Sequence, residues 1–243
     1  MRLDNLTDVN HLIKYGFINE DTDNKKISLH PLLQKVIATE TIPTVTACRT
    51  LLDSLHLICL AHGLELRRPE NIITSLISVS EHIVVDDGAY FLLFLQDMFP
   101  YLDKYLVSDY LPKLTNRISY VMEEYKLESP CDKALLLDYK AECFLLKRDY
   151  GNAVKKLEKA ISILEKLHNK DADMRTANLL SNLYNNLSNT YLLMKRGNEA
   201  AKTLRTALDV RMEYAHLGLT ESHDSLQQMM NLINMLWVRI MTI

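Results

Sequence analysis

FLLKRDYGNAVKKLEKA, residues 144–160, recurs as YLLMKRGNEAAKTLRTA, residues 191–207, at a spacing of 47. In each copy an aromatic, Phe144 or Tyr191, is followed nine residues on by Ala153 or Ala200. Seven further on stands a second alanine, Ala160 or Ala207, with Leu157 or Leu204 between. Alanines seven apart fall two turns apart on one stripe of a helix, where a neighbouring helix can come close. The aromatic belongs to the end of the preceding helix. The unit is therefore a helical hairpin. A hairpin that cannot bury its apolar face alone stacks on its neighbours. The expectation is that aromatic ridges lodge against alanine-sized dents.

Working outward, a weaker copy lies upstream at an offset of 43. Phe94, Met98 and Tyr101 fall where Leu137, Ala141 and Phe144 fall, and Leu114 and Ile118 match Leu157 and Ile161. Tyr110 and Arg117 stand in place of the two alanines, so looser packing is expected there. Downstream, the stretch from Ser225 echoes the first helix of a further unit: Asn231-Leu232 follows Asn186-Leu187, and Asn234 follows Asn189. Its second helix is missing, which would leave an apolar end near Trp237 and Ile240. Self-association through the C-terminal helix is the expectation.

The first forty residues read differently. Residues 4–15 suit a short helix stopped by Gly16 in the left-handed region. Two β-prone runs, 17–18 and 27–29, flank the polar stretch 19–24, and Pro31 opens another helix. Residues 1–42 thus form one unit of helix, hairpin and helix. From Pro43 the chain reads helical to residue 243, with helices expected at 71–84, 90–105 and 108–125 and a stop at Gly63. Asp86-Asp87 reads as a helix start, where carboxylates meet the favourable end of the dipole.

Composition narrows the function. The net charge of -3 gives no basic excess, so nucleic acid is not an expected partner. Charge is uneven, with 7 Lys+Arg against 12 Asp+Glu over 44–130 and 15 against 11 over 131–215. The six glycines are widely separated, which excludes glycine-clustered phosphate loops. Cys48, Cys59, Cys131 and Cys143 form no CxxC pair and read as buried thiols of a reducing compartment, the cytoplasm. No apolar run is long enough to span a membrane. No HExxH and no zinc-spaced Cys/His group occurs, so neither a metal nor a cofactor is expected. No serine stands between the glycines a nucleophile elbow needs, and no enzyme activity is expected. Lys155, Lys156 and Lys159 read as a solvated helix face.

The pattern resembles tetratricopeptide repeats, carried by Leu137, Ala141, Phe144, Ala153, Leu157 and Ala160, then Tyr184, Leu187, Ser188, Tyr191, Ala200, Leu204 and Ala207. The family's closing proline is replaced by Glu165 and Met212. The stretch 12–18, followed by 27–34, is similar to the end of the winged-helix domain in bacterial STAND (NB-ARC-like) signalling ATPases. The resemblance implies an all-α right-handed superhelix of antiparallel helix pairs over 43–243, preceded by a partial winged-helix remnant over 1–42. It also implies a protein- or peptide-binding role as the sensor arm of such an ATPase. A freestanding adaptor and a peptide-responsive transcriptional regulator are the alternatives.

By the repeat alignment, the helix carrying Asn182, Asn185, Asn186 and Asn189 lines the concave side. Asn182, Asn185 and Asn189 share a face, and an asparagine both donates to and accepts from a peptide unit. Asn231 and Asn234 continue the row, while Asp138 and Glu142 precede it and favour a positively charged ligand. Two readings stay open: the asparagines clamp a ligand backbone, or they bond to one another and to neighbouring helices.

Overall fold

The computed structural model describes residues 14–15, 18–21, 26–29, 42–60, 69–168 and 173–213. Among them are two strands, β1 (Ile18–Asp21) and β2 (Lys26–Leu29), paired antiparallel with Ile18 opposite Leu29 and Asp21 opposite Lys26. Eight helices follow: α1 (Arg49–Leu60), α2 (Pro69–His82), α3 (Gly88–Lys104), α4 (Leu111–Glu124), α5 (Pro130–Leu146), α6 (Tyr150–His168), α7 (Met174–Leu193) and α8 (Gly197–Glu213). The rest of the expected N-terminal unit and the helix expected from Ser225 lie outside the described residues.

Three of the odd-numbered helices start on a side-chain cap. The Asp87 carboxylate accepts from the Tyr90 amide, Ser129 from the Asp132 amide ahead of Pro130, and Asp173 from the Thr176 amide. The helix stops repeat one device. Leu106, Lys126, Arg148 and Lys195 all take positive φ, between 54° and 60°. At each, the left-handed residue donates three positions back, as Arg148 does to the Leu145 carbonyl. The next residue donates five back, as Asp149 does to the Phe144 carbonyl and Arg196 to the Tyr191 carbonyl. This doubly bonded stop reverses the chain after α3, α4, α5 and α7 without a glycine. Arg148 and Lys195 are 47 apart, so the sequence period is also a period in backbone conformation. Leu106 lies only 42 before Arg148, one short of the offset read from the side chains, because α3 runs one residue further past Tyr101 than α5 does past Phe144.

The odd-numbered helices lie side by side and parallel. Tyr90 of α3 donates to Asp53 of α1 at 2.6 Å, Tyr139 of α5 to the Gln96 carbonyl of α3 at 2.8 Å, and Asn186 of α7 to Asp138 of α5 at 3.0 Å. Each even-numbered helix from α4 on packs antiparallel against the odd one before it. The fold is helical and repeat-like.

Two apolar cores result. One fills α1–α4 with large residues, including Phe91, Phe94, Met98, Leu114 and Ile118. The other fills α5–α8 and is built on alanines. Within it, Ser181 of α7 donates to the Ala207 carbonyl of α8 at 3.0 Å, and Ser188 to the Ala200 carbonyl at 2.8 Å. Seven residues forward on α7 match seven back on α8. One period earlier the same places hold Ala134 and Ala141 on α5 and Ala160 and Ala153 on α6, all buried. The small stripe on the second helix thus faces an equally small stripe on the first. The expectation assigned the alanines to aromatic partners. Phe144 and Tyr191 join the same core as the alanines, and Ser181 and Ser188 are the residues of α7 that touch the α8 backbone.

The tyrosines have a second axis of contact. Tyr184 donates to Glu165 at 2.5 Å and Tyr191 to Glu158 at 3.3 Å, again seven against seven, between α7 and the preceding α6. Looser packing in the α3–α4 hairpin follows from its substitutes. Tyr110 turns outward to Ser80 of α2 at 2.6 Å, and Arg117 donates to the Ile83 carbonyl at 3.2 Å and lies over the rings of Phe91 and Tyr120. Tyr139 joins the two cores by stacking on Phe99, with ring centroids 3.9 Å apart.

Candidate functional site

The layer of odd-numbered helices carries the polar residues singled out in the sequence. Asp138 and Glu142 lie one turn apart on α5, a spacing that puts both on one face. Asp103, in the last turn of α3, adds a third carboxylate whose field reaches both. Burial pushes the Asp138 carboxyl up to about 6, opposed by the Asn186 hydrogen bond and assisted by the charge of Asp103. Burial, then Asp103, then Asp138 push Glu142 up to about 7. Burial alone raises Asp103. Desolvation and mutual repulsion both disfavour the ionised forms. Among the described residues none of the three is in an ion pair.

The asparagines divide between neighbours. Asn186 donates its amide to both oxygens of Asp138, at 3.0 and 3.3 Å. Asn182 accepts from the Arg211 guanidinium of α8 at 2.7 Å. Arg211 is only 1% exposed, and nothing in the sequence pattern marks it as a core residue. The Asn185 side-chain oxygen is buried without a partner. Asn189 is half-buried. Asn231 and Asn234 lie outside the described residues. Bonding to neighbouring helices thus accounts for Asn182 and Asn186, and the α7 row is not one uniform face.

At the other end of α5, Asp132 accepts from Gln96 of α3 at 3.1 Å and from Arg175 of α7 at 3.4 Å. These three close one side of a cavity of about 290 Å³ whose apolar wall is Leu92, Leu93 and Leu127. Leu93 is 46% exposed and accessible from solvent. Sequence reading missed this cavity, because its residues come from three helices and the α4–α5 turn, with no shared motif.

Chemically, the carboxylate group can take up a cation or hold a proton near neutrality. Among the described residues no group of three or more His, Cys, Asp or Glu is placed to hold a metal ion. No helix of the described residues is long and apolar enough to cross a membrane. Comparison with family models, with curated proteins and with solved structures returns no match.

Proposed function

We propose that the chain is a protein- or peptide-recognition scaffold whose odd-helix layer holds a basic segment of its partner. The observation that carries this reading is the unpaired carboxylate group of Asp103, Asp138 and Glu142. Three acids whose charges repel are costly to the fold when ionised, unless a cation lies beside them. A lysine or arginine of a partner supplies that charge, and an apolar side chain further along the same segment fits the cavity next to Leu93 at the other end of α5. Stacked hairpins suit such a role, because they present one continuous face built from successive first helices.

Within this reading the repeats form a tetratricopeptide-type superhelix with α3, α5 and α7 on its inner side. The sensor arm of a STAND-type signalling ATPase in the cytoplasm, behind the end of its winged-helix domain, is the larger setting we favour. Ligand capture there would shift a conformational equilibrium by its differential affinity. An adaptor without a switch, or a peptide-responsive transcriptional regulator, would use the same face.

The test is selection from a randomised peptide library against the full chain and against Asp138→Asn/Glu142→Gln. Lysine or arginine at a fixed position in the selected peptides, with affinity about tenfold lower for the variant, supports the reading. Selection without charge preference, or equal affinity for both proteins, overturns it.

A further inference from the structure

A second recess, of about 200 Å³, opens where α4, α5 and α6 meet. Its lining has the opposite character. Lys140 of α5, Lys147 just past its end and Lys156 of α6 line it, with Asn116 on α4 and Phe144 as an apolar wall. No acidic residue lines it. Among the described residues none of the three lysines is in an ion pair.

A solvated face does not account for this arrangement. Free lysine tips spread apart into water, as they can at Lys155 and Lys159, which are exposed and outside the recess. Lys140 and Lys156 are instead half-buried, and both line one concavity together with exposed Lys147. Like charges held together repel, and an anion between them removes that cost. Lysines act as point charges and suit a compact anion of more than one charge. The recess is smaller than a cavity for a drug-sized molecule, so it suits a single group. The ring of Phe144 can cover the carbon stem that carries such a group. The buried Thr115 hydroxyl at its edge is already committed, donating to the Leu111 carbonyl at 2.8 Å. That leaves the lysines and Asn116 as the donors.

We propose that this recess binds a phosphate monoester, with Lys140, Lys147 and Lys156 neutralising the phosphate and Asn116 donating to one of its oxygens. The site is separate from the acidic layer and does not depend on its reading. The phosphate can arrive on a phosphorylated peptide or on a small metabolite, since both offer the same group.

Binding of inorganic phosphate, of a phosphoserine peptide and of its unphosphorylated form is measured by calorimetry on the full chain at low ionic strength. Lys140→Gln/Lys147→Gln/Lys156→Gln should bind inorganic phosphate about tenfold more weakly than the parent, while Lys155→Gln/Lys159→Gln changes it by less than about twofold. Should the triple variant fail to fold by circular dichroism, the single change at exposed Lys147 to Gln should still weaken binding about threefold. A phosphopeptide held more tightly than free phosphate identifies a protein source. A phosphopeptide held no better identifies a small molecule, and either result supports the site. Equal losses in the recess and control variants would overturn it. So would tighter retention of a single-stranded oligonucleotide than of any phosphate monoester, since the lysines would then be following a polymer backbone.

Discussion

The Ser188 hydroxyl of α7 donates to the Ala200 carbonyl of α8 at 2.8 Å, so side chain meets backbone directly across the hairpin. Only a residue of serine or alanine size at both places allows that approach. Ser181 and Ala207 repeat the contact two turns away, and two contacts fix both the spacing and the register of the pair.

Ser188→Ala should therefore be mild. Ala141 occupies the equivalent place one period earlier and is equally buried, which shows that the geometry accepts a methyl group. The loss is the hydrogen bond, about 1 kcal/mol. Urea unfolding should show a lower midpoint with an unchanged slope.

Asp138 and Glu142 make stability fall as the pH rises. Both carboxyls sit above their ordinary values, at about 6 and about 7, so the folded chain binds these protons more tightly than the unfolded chain. Their contribution is complete below the ordinary carboxylate range and is lost as pH climbs through 6 and 7. Asp138→Asn keeps an acceptor for Asn186 and removes the buried charge. It should stabilise the chain by about 1–2 kcal/mol near pH 8 and by almost nothing near pH 4. Thermal unfolding across that range reads the difference directly.

Gly88 and Gly151 should respond to alanine with opposite signs. A methyl group on Gly88 would lie 2.2 Å from the Tyr125 ring, which is itself fixed by its hydroxyl on the Val85 carbonyl. Gly88→Ala should cost about 1–3 kcal/mol through overpacking. Nothing lies within 4 Å of the same atom at Gly151, inside α6. Gly151→Ala should gain about 0.5–1 kcal/mol from the helix it extends. Paired denaturant curves settle both.

Leu106 holds a φ of 57° at the end of α3 with its side chain 84% exposed. The side chain contributes little there and the backbone is strained. Leu106→Gly should stabilise by about 1 kcal/mol, and Leu106→Val should destabilise, because a β-branched residue tolerates that region least. Melting temperatures of the two variants should bracket that of the parent.

Much of this architecture was legible in the sequence because small residues spaced by seven can only be a close helix contact. The period of 47 returned as a period in hydrogen bonds, and Asp87 became the helix cap that its place before α3 suggested. The partner of the alanines was less legible. Ser181 and Ser188 carry hydroxyls that read as polar, and only the coordinates show them turned onto a carbonyl. Arg211 escaped notice for the same reason, since a buried charge is recognised by its partner, Asn182, and not by its type. Asn182 and Asn185 shared a face on paper, yet Asn182 bonds to Arg211 of α8 while the Asn185 oxygen is buried without a partner. Both recesses stayed hidden because each gathers residues from elements distant in sequence.

The central claim is that paired small stripes set the distance between the helices of the α5–α6 and α7–α8 hairpins. Equilibrium unfolding of Ala153→Leu, Ala200→Leu and Ala201→Leu tests it most directly, because Ala201 neighbours Ala200 on α8 but is only half-buried. The account predicts losses of about 2–3 kcal/mol at Ala153 and Ala200 and less than about 0.5 kcal/mol at Ala201. Similar small losses at all three positions would contradict it.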